Sequence, residues 1–269
     1  MLTDRYRVIR RRRRVIEPVL LLMTATVTPP VGVPALSRTD PAERLEDYRL
    51  ALSFYLDLPH AAVDRIVFAD NSASDLAALE DLVRERGAGK DVELLSFDGL
   101  DYPVQHGRGV GEVRLMQTAL ARSRLMQALG DDRPFWKVTG RLRIRNLERL
   151  IATAPQDAEL YADFRRIPRH WVDTRVFACT PRSFRRLFWP RVDDMRQDAL
   201  AKAGFSAPEE WLYGELLPER RDGLLVPRLR VEPMIEGYSG FGDDYARASR
   251  RLWSTVRGTS RRMLPGLWI

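Results

Sequence analysis

The stretch PFWKVTGRLRI (134–144) sets Lys137 and Arg141 on either side of a Thr-Gly pair, Thr139 and Gly140, at the end of an apolar run. Lysine is a compact point charge and arginine a planar fork for oxyanions, so the pair could hold an anion such as a phosphate. A glycine inside a strand marks a bend or the close approach of another group. Polar sequences close other apolar runs too: TVTPP with Thr28, ADNSASD with Asp70, Asn71 and Ser72, and VDTRVF with Asp173 and Arg175. Together these residues are candidates for one binding rim.

HGRGVGE (106–112) adds Gly107, Gly109 and Gly111 just ahead of a predicted helix, with Arg108 and Glu112 among them. Free amides at a helix start suit an anion. The alternate spacing is nevertheless neither the dinucleotide fingerprint nor a P-loop. Metal chemistry lacks its residues: there is no Asp-x-Asp, and His60, His106 and His170 are scattered. FADNSASD is not an aspartyl-phosphate start either, because Ser72 stands where the second aspartate is needed.

These residues need elements to position them. The run VLLLMTATV is read as a first buried strand in preference to a signal sequence, since Glu17 and Pro18 interrupt its apolar lead-in. Asp40-Pro41 opens a helix with Leu45, Tyr48, Leu52 and Tyr55 on its inner face. RIVFAD (65–70), DVELLSF (91–97), PFWKVTGRLRI and WVDTRVFACT (171–180) are predicted strands. Helices are expected after Asp75, over 111–129 with Val113, Met116, Leu120 and Leu125 inward, at NLERLIATA, and in parts of 181–204. Alternation of strand and helix predicts a single-domain α/β fold with a mostly parallel, Rossmann-like sheet flanked by helices. Ligands then bind at the carboxyl ends of the strands.

The 269 residues are 45% apolar, enough for one substantial core. With 44 Lys and Arg against 37 Asp and Glu, the net charge of +7 favours anionic partners. The single Cys179 excludes an internal disulfide framework, so a cytoplasmic setting is expected. No run is long enough to span a bilayer. Residues 1–16 read as a flexible basic arm, 17–245 as the folded domain, and 246–269 as a basic amphipathic segment suited to an anionic membrane surface.

LLLMTATVTP, RTDPAERLEDYRLALSFYL, IVFADNSASD, HGRGVGE, FWKVTGRLRIRNL and VDTRVFAC together resemble bacterial glycosyltransferases of GT-A-like fold from capsule and surface-polysaccharide pathways, over roughly residues 19–242. The resemblance implies a nucleotide-sugar donor bound by Thr28, Asp70, Asn71, Ser72, Gly109, Glu112, Thr139 and Gly140. Lys137, Arg141 and Arg175 would neutralise the leaving diphosphate in place of a metal, so neither a metal nor another cofactor is expected. It also implies a carboxylate base for the acceptor hydroxyl, with Glu209 or Glu210 as candidates and Asp173 or Glu112 as alternatives. The acceptor would be a glycan, which could be lipid-linked, met by an enzyme peripheral to the inner face of the membrane. The loop PMIEGYSGFGDDY (233–245) is a candidate acceptor loop. Two other classes stay open: a basic nucleic-acid-binding protein, although no such module is visible, and a sugar nucleotidyltransferase, although the loop after the first strand has only one glycine and one arginine.

Overall fold

The protein is described by a computed structural model covering residues 17–33, 36–87, 89–222, 224–240, 242, 244–245, 248–264 and 267–269; the expected basic arm, 1–16, lies outside the described residues. In chain order the elements are β1 (Val19–Ala25), α1 (Pro41–Leu56), β2 (Val63–Asp70), α2 (Ala77–Arg86), β3 (Asp91–Ser96), α3 (Gly107–Arg122), α4 (Arg124–Leu129), β4 (Phe135–Thr139), β5 (Arg143–Ile144) and α5 (Leu147–Thr153). They continue with β6 (Leu160–Arg165), β7 (Trp171–Cys179), α6 (Pro181–Leu187), α7 (Gln197–Lys202), α8 (Pro208–Leu216), β8 (Leu225–Val226), β9 (Ile235–Glu236) and α9 (Ala248–Met263).

The main sheet has seven strands in the order β3-β2-β1-β4-β7-β6-β8. β1 pairs in parallel with β2 and β4, β2 with β3, and β6 with β8, whereas β7 runs antiparallel to both β4 and β6. The expected α/β fold with a mostly parallel sheet is therefore what the chain forms. Side chains alternate across a strand, so Leu20 and Leu22 join the core beneath α3, α4, α6 and α8, while Leu21 and Met23 join the core beneath α1, α2 and α5. The apolar run at the start of the described chain is thus an interior strand, buried on both faces.

Four differences from the sequence reading matter. LYADFR is β6, a strand the apolar pattern did not mark, because Asp163 and Arg165 are buried in it as an ion pair. β7 is reversed, which carries Asp173–Arg175 to the carboxyl ends of β1 and β4 at the beginning of the strand. The predicted strand over 134–144 breaks into β4, a turn at Gly140, and β5, which pairs with β9 in a separate ribbon. The helix expected over 111–129 begins earlier, at Gly107, and divides at Ser123, whose hydroxyl accepts the Met126 amide and donates to Glu93.

Candidate functional site

A cavity of about 790 Å³ lies where the strands β1 and β4 end and β7 begins, bordered by α3, α8 and the residues Ser239, Gly240 and Tyr245. Its chemistry centres on two carboxylates. Glu112, on α3, is ion-paired with Lys137 Nζ at 2.6 Å and accepts the Thr24 hydroxyl at 2.8 Å. Lys137 is completely buried in β4; its ammonium also donates to the Thr174 carbonyl at 2.7 Å and to Thr139 Oγ1 at 3.2 Å. All three ammonium protons are therefore committed, and Lys137 stands behind the cavity wall and not against a diphosphate. The physical reason is the register of β4: Lys137 shares a face with Phe135, beneath α3, where only Glu112 can meet its charge.

Glu209 is the second carboxylate. It sits in the first turn of α8, lines the cavity and accepts the Thr174 hydroxyl at 3.3 Å. Burial pushes its pKa up and the neighbouring Glu112 adds to this, while Arg108 opposes it. A helix N-terminus favours a carboxylate, yet desolvation and the second negative charge prevail. Glu210, one residue on, points elsewhere: it accepts the Ser206 amide and hydroxyl, which hold its carboxyl below the usual range, and it does not line the cavity. Asp173 lines the cavity but is spent on Arg165 at 2.7 Å and Arg175 at 2.5 Å, which hold its carboxyl well below the carboxylate range and make it a poor proton acceptor.

Cations line the same cavity. Arg141 donates to the Tyr48 hydroxyl at 3.0 Å, and its Nε is buried without a hydrogen-bond partner. Arg44, from α1, reaches the same hydroxyl at 3.3 Å and donates to the Thr26 carbonyl through Nε and Nη2 at 2.8 and 2.6 Å. Burial, and then the second guanidinium at Arg141, draw the Arg44 pKa down. Arg108, exposed on α3, lines the same space and lies within electrostatic reach of Arg141, Glu209 and Glu112. Two guanidiniums on one phenol oxygen form an anion-receptive surface, because neither Arg44 nor Arg141 makes an ion pair with a carboxylate among the described residues.

The remaining predicted residues divide. Thr139, Gly109 and Arg175 line the cavity; Gly140 lies behind it, where a Cβ would meet the Thr24 carbonyl at 2.7 Å. Gly140 thus answers to strand packing against β1 and Tyr48. Asp70, Asn71, Ser72 and Thr28 knit the loops after β1 and β2: Asp70 accepts the amides of Val27, Ser72 and Ser74, Asn71 accepts the Thr26 hydroxyl, and Ser72 accepts the Thr28 amide. None of these four lines the cavity. Gly109 and Gly111 lie inside α3, and Gly107, at its first position, has a φ of +79° where the 104–106 turn leads into the helix. A Cβ at Gly109 would come within 2.8 Å of Pro208, and one at Gly111 would collide with the Tyr102 hydroxyl, so α8 can seat Glu209 beside Glu112.

The sequence reading passed over Arg44, Tyr48 and Thr174. A basic residue one turn before Tyr48 on the inner face of α1 was the available signal for Arg44. From the 233–245 segment, Ser239, Gly240 and Tyr245 line the cavity, and the Arg38 guanidinium stacks on Tyr238; Phe241 lies outside the described residues. Among the described residues, no group of three His, Cys, Asp or Glu side chains converges as a metal ion would need.

No protein-family model matches the chain, and no curated protein matches it. Solved structures similar to it include the galactosyltransferase LgtC in complex with donor and acceptor sugar analogues, at 12% identity and a TM-score of 0.44 over 90% of this chain and 94% of that one. HddC from Yersinia pseudotuberculosis is similar at 10% identity and a TM-score of 0.36 over 88% and 97% of the two chains. The bifunctional glycosyltransferase WbbM is similar at 10% identity and a TM-score of 0.41 over 94% of this chain and 51% of its own. With every TM-score below 0.5, these likenesses assign no activity to this chain.

Proposed function

We propose that the protein is a glycosyltransferase that moves a sugar from a nucleotide-sugar donor to a glycan acceptor without a divalent metal. The observation that carries this reading is the lining of the cavity: the guanidiniums of Arg141, Arg44 and Arg108 share it with a half-buried carboxylate of raised pKa, Glu209. The diphosphate of the donor rests on the arginines, with Arg141 Nε supplying an unused donor. As the bond from the sugar to the diphosphate breaks, negative charge grows on the leaving oxygen, and fixed guanidiniums stabilise it without reorganising.

The acceptor hydroxyl must lose its proton as it attacks. Glu209 takes it, and its raised pKa brings it closer to working pH than an ordinary carboxylate, as base catalysis favours. Glu112 acts on Glu209 through its negative charge, and Lys137 and Thr24 hold Glu112 in place. Lys137 is in this reading a positioning residue.

The finer assignment is a surface-polysaccharide acceptor met at the inner face of a membrane. It is supported by α9, where Leu252, Trp253, Val256 and Met263, with Leu264 just beyond, stay exposed. No helix among the described residues is long and apolar enough to cross a membrane. The experiment is release of nucleoside diphosphate from a panel of nucleotide sugars in EDTA, with acceptor glycans added, for the wild type and Glu209→Gln. Acceptor-dependent release that Glu209→Gln abolishes supports transfer; release of pyrophosphate from a nucleoside triphosphate and a sugar phosphate would instead mark a nucleotidyltransferase.

A further inference from the structure

A second cavity, of about 650 Å³, adjoins the first: Arg165, Arg175, Tyr245 and Arg257 line both. Among the described residues it is lined by seven arginines and two glutamates. The glutamates do little to balance it. Glu232 is taken chiefly by Arg261 at 2.5 Å and lies 3.8 Å from Arg257, and Glu236 lies 3.9 Å from Arg143 and from Arg145. Arg149, on α5, and Arg262, on α9, sit at the rim with no carboxylate partner among the described residues. Arg257 Nε is buried without a hydrogen-bond partner.

The wall between the cavities is a chain of ion pairs. Arg175, Asp173, Arg165, Asp163, Arg261 and Glu232 form a continuous alternation of charges, with successive contacts of 2.5, 2.7, 3.1, 2.7 and 2.5 Å. It runs from the β6–β7 pair to α9. Its members neutralise one another, so the positive charge left over belongs to the rim.

We infer that this second cavity binds a phosphate or diphosphate group carried by the acceptor, while the acceptor's hydroxyl reaches over the shared wall into the first cavity. Several separated guanidinium forks suit a multi-oxygen dianion, because each can bind two oxygens and is only weakly hydrated. The assignment of this group to the acceptor rests on the transferase reading; the anion site itself does not.

The test is calorimetric titration of the full chain with inorganic pyrophosphate, for the wild type, R149E/R262E, Arg141→Ala, and the charge-matched control R84E/R124E on α2 and α4. The expected result is two classes of pyrophosphate site. R149E/R262E weakens one by at least about tenfold, Arg141→Ala weakens the other, and the control changes neither. Both rim positions are exposed, so an unchanged thermal midpoint should accompany the loss, and the milder R149A/R262A should weaken the same class less. An R149E/R262E titration like wild type, or an equal loss in the control, would overturn the site.

Farnesyl diphosphate separates the two sources of such a group. Tighter binding than pyrophosphate, lost in R149E/R262E, points to a lipid-linked acceptor; equal binding points to a phosphate on a soluble glycan. If no nucleotide sugar binds while the second pyrophosphate class persists, the transferase reading fails and the anion site stands.

Discussion

At the residue scale, the cost of losing either member of the Lys137–Glu112 pair depends on which of the two can reach water. Lys137 is fully buried, whereas the Glu112 side chain is 27% exposed. Removing Glu112 leaves an ammonium in the core with only a carbonyl and a hydroxyl; removing Lys137 leaves a carboxylate that water can still solvate. Glu112→Ala should therefore destabilise the protein by about 3 kcal/mol, and Lys137→Met by clearly less, as chemical denaturation would show; the reverse order would remove Lys137 from its role. Glu209 gives a second prediction. Glu209→Gln should lower kcat by about 10²–10⁴ with nucleotide-sugar affinity nearly intact. The ascending limb of the wild-type pH–rate profile should lie above the ordinary glutamate range, because the base works ionised and burial raises its pKa.

At the element scale, the interface between α3 and α8 sets the distance between the two carboxylates. Gly109→Ala puts a methyl group against Pro208, an overpacking worth about 1–3 kcal/mol. Because α8 yields more easily than the sheet, the variant should lose transfer activity out of proportion to its loss of thermal stability, with circular dichroism unchanged. The same elements show what the sequence made legible. β1, β2, β3 and β4 were marked by short, largely apolar runs bounded by turns, and Glu112, Arg141, Arg175 and Glu209 were marked by their types and places at element ends. β6 was not, since Asp163 and Arg165 look like exposed residues until Arg261, about a hundred positions on, supplies their partner. The direction of β7 was written only in the five-residue link from β6, too short for a crossover and long enough for a hairpin. Lys137 was conspicuous in the sequence, but which side of the wall it faces depends on strand register against α3.

At the scale of the whole molecule, the buried alternation of charges ties α9 to the sheet and makes stability acid-sensitive. Arg175 and Arg165 hold the Asp173 carboxyl well below its ordinary value, and Arg261 and Arg165 do so for Asp163. Carboxyls depressed in the folded state contribute stability that is present above their unfolded pKa, near 3.9, and is lost as pH falls toward the folded value. The thermal midpoint should accordingly fall steeply below about pH 4, and Asp173→Asn should be less stable at pH 7 with a shallower acid limb. A wild-type midpoint flat from pH 5 down to pH 3 would contradict this.

The central claim is that fixed guanidiniums receive a sugar nucleotide's diphosphate. Its most direct measurement is a thermal-shift screen against UDP-, GDP-, CMP- and dTDP-sugars, each in EDTA and in Mn²⁺, for the wild type and Arg141→Ala, since a ligand that binds only the native state raises the midpoint by mass action. The account predicts a rise with one nucleotide class that survives EDTA and is lost in Arg141→Ala. A rise that requires Mn²⁺, or none with any nucleotide sugar, would contradict it.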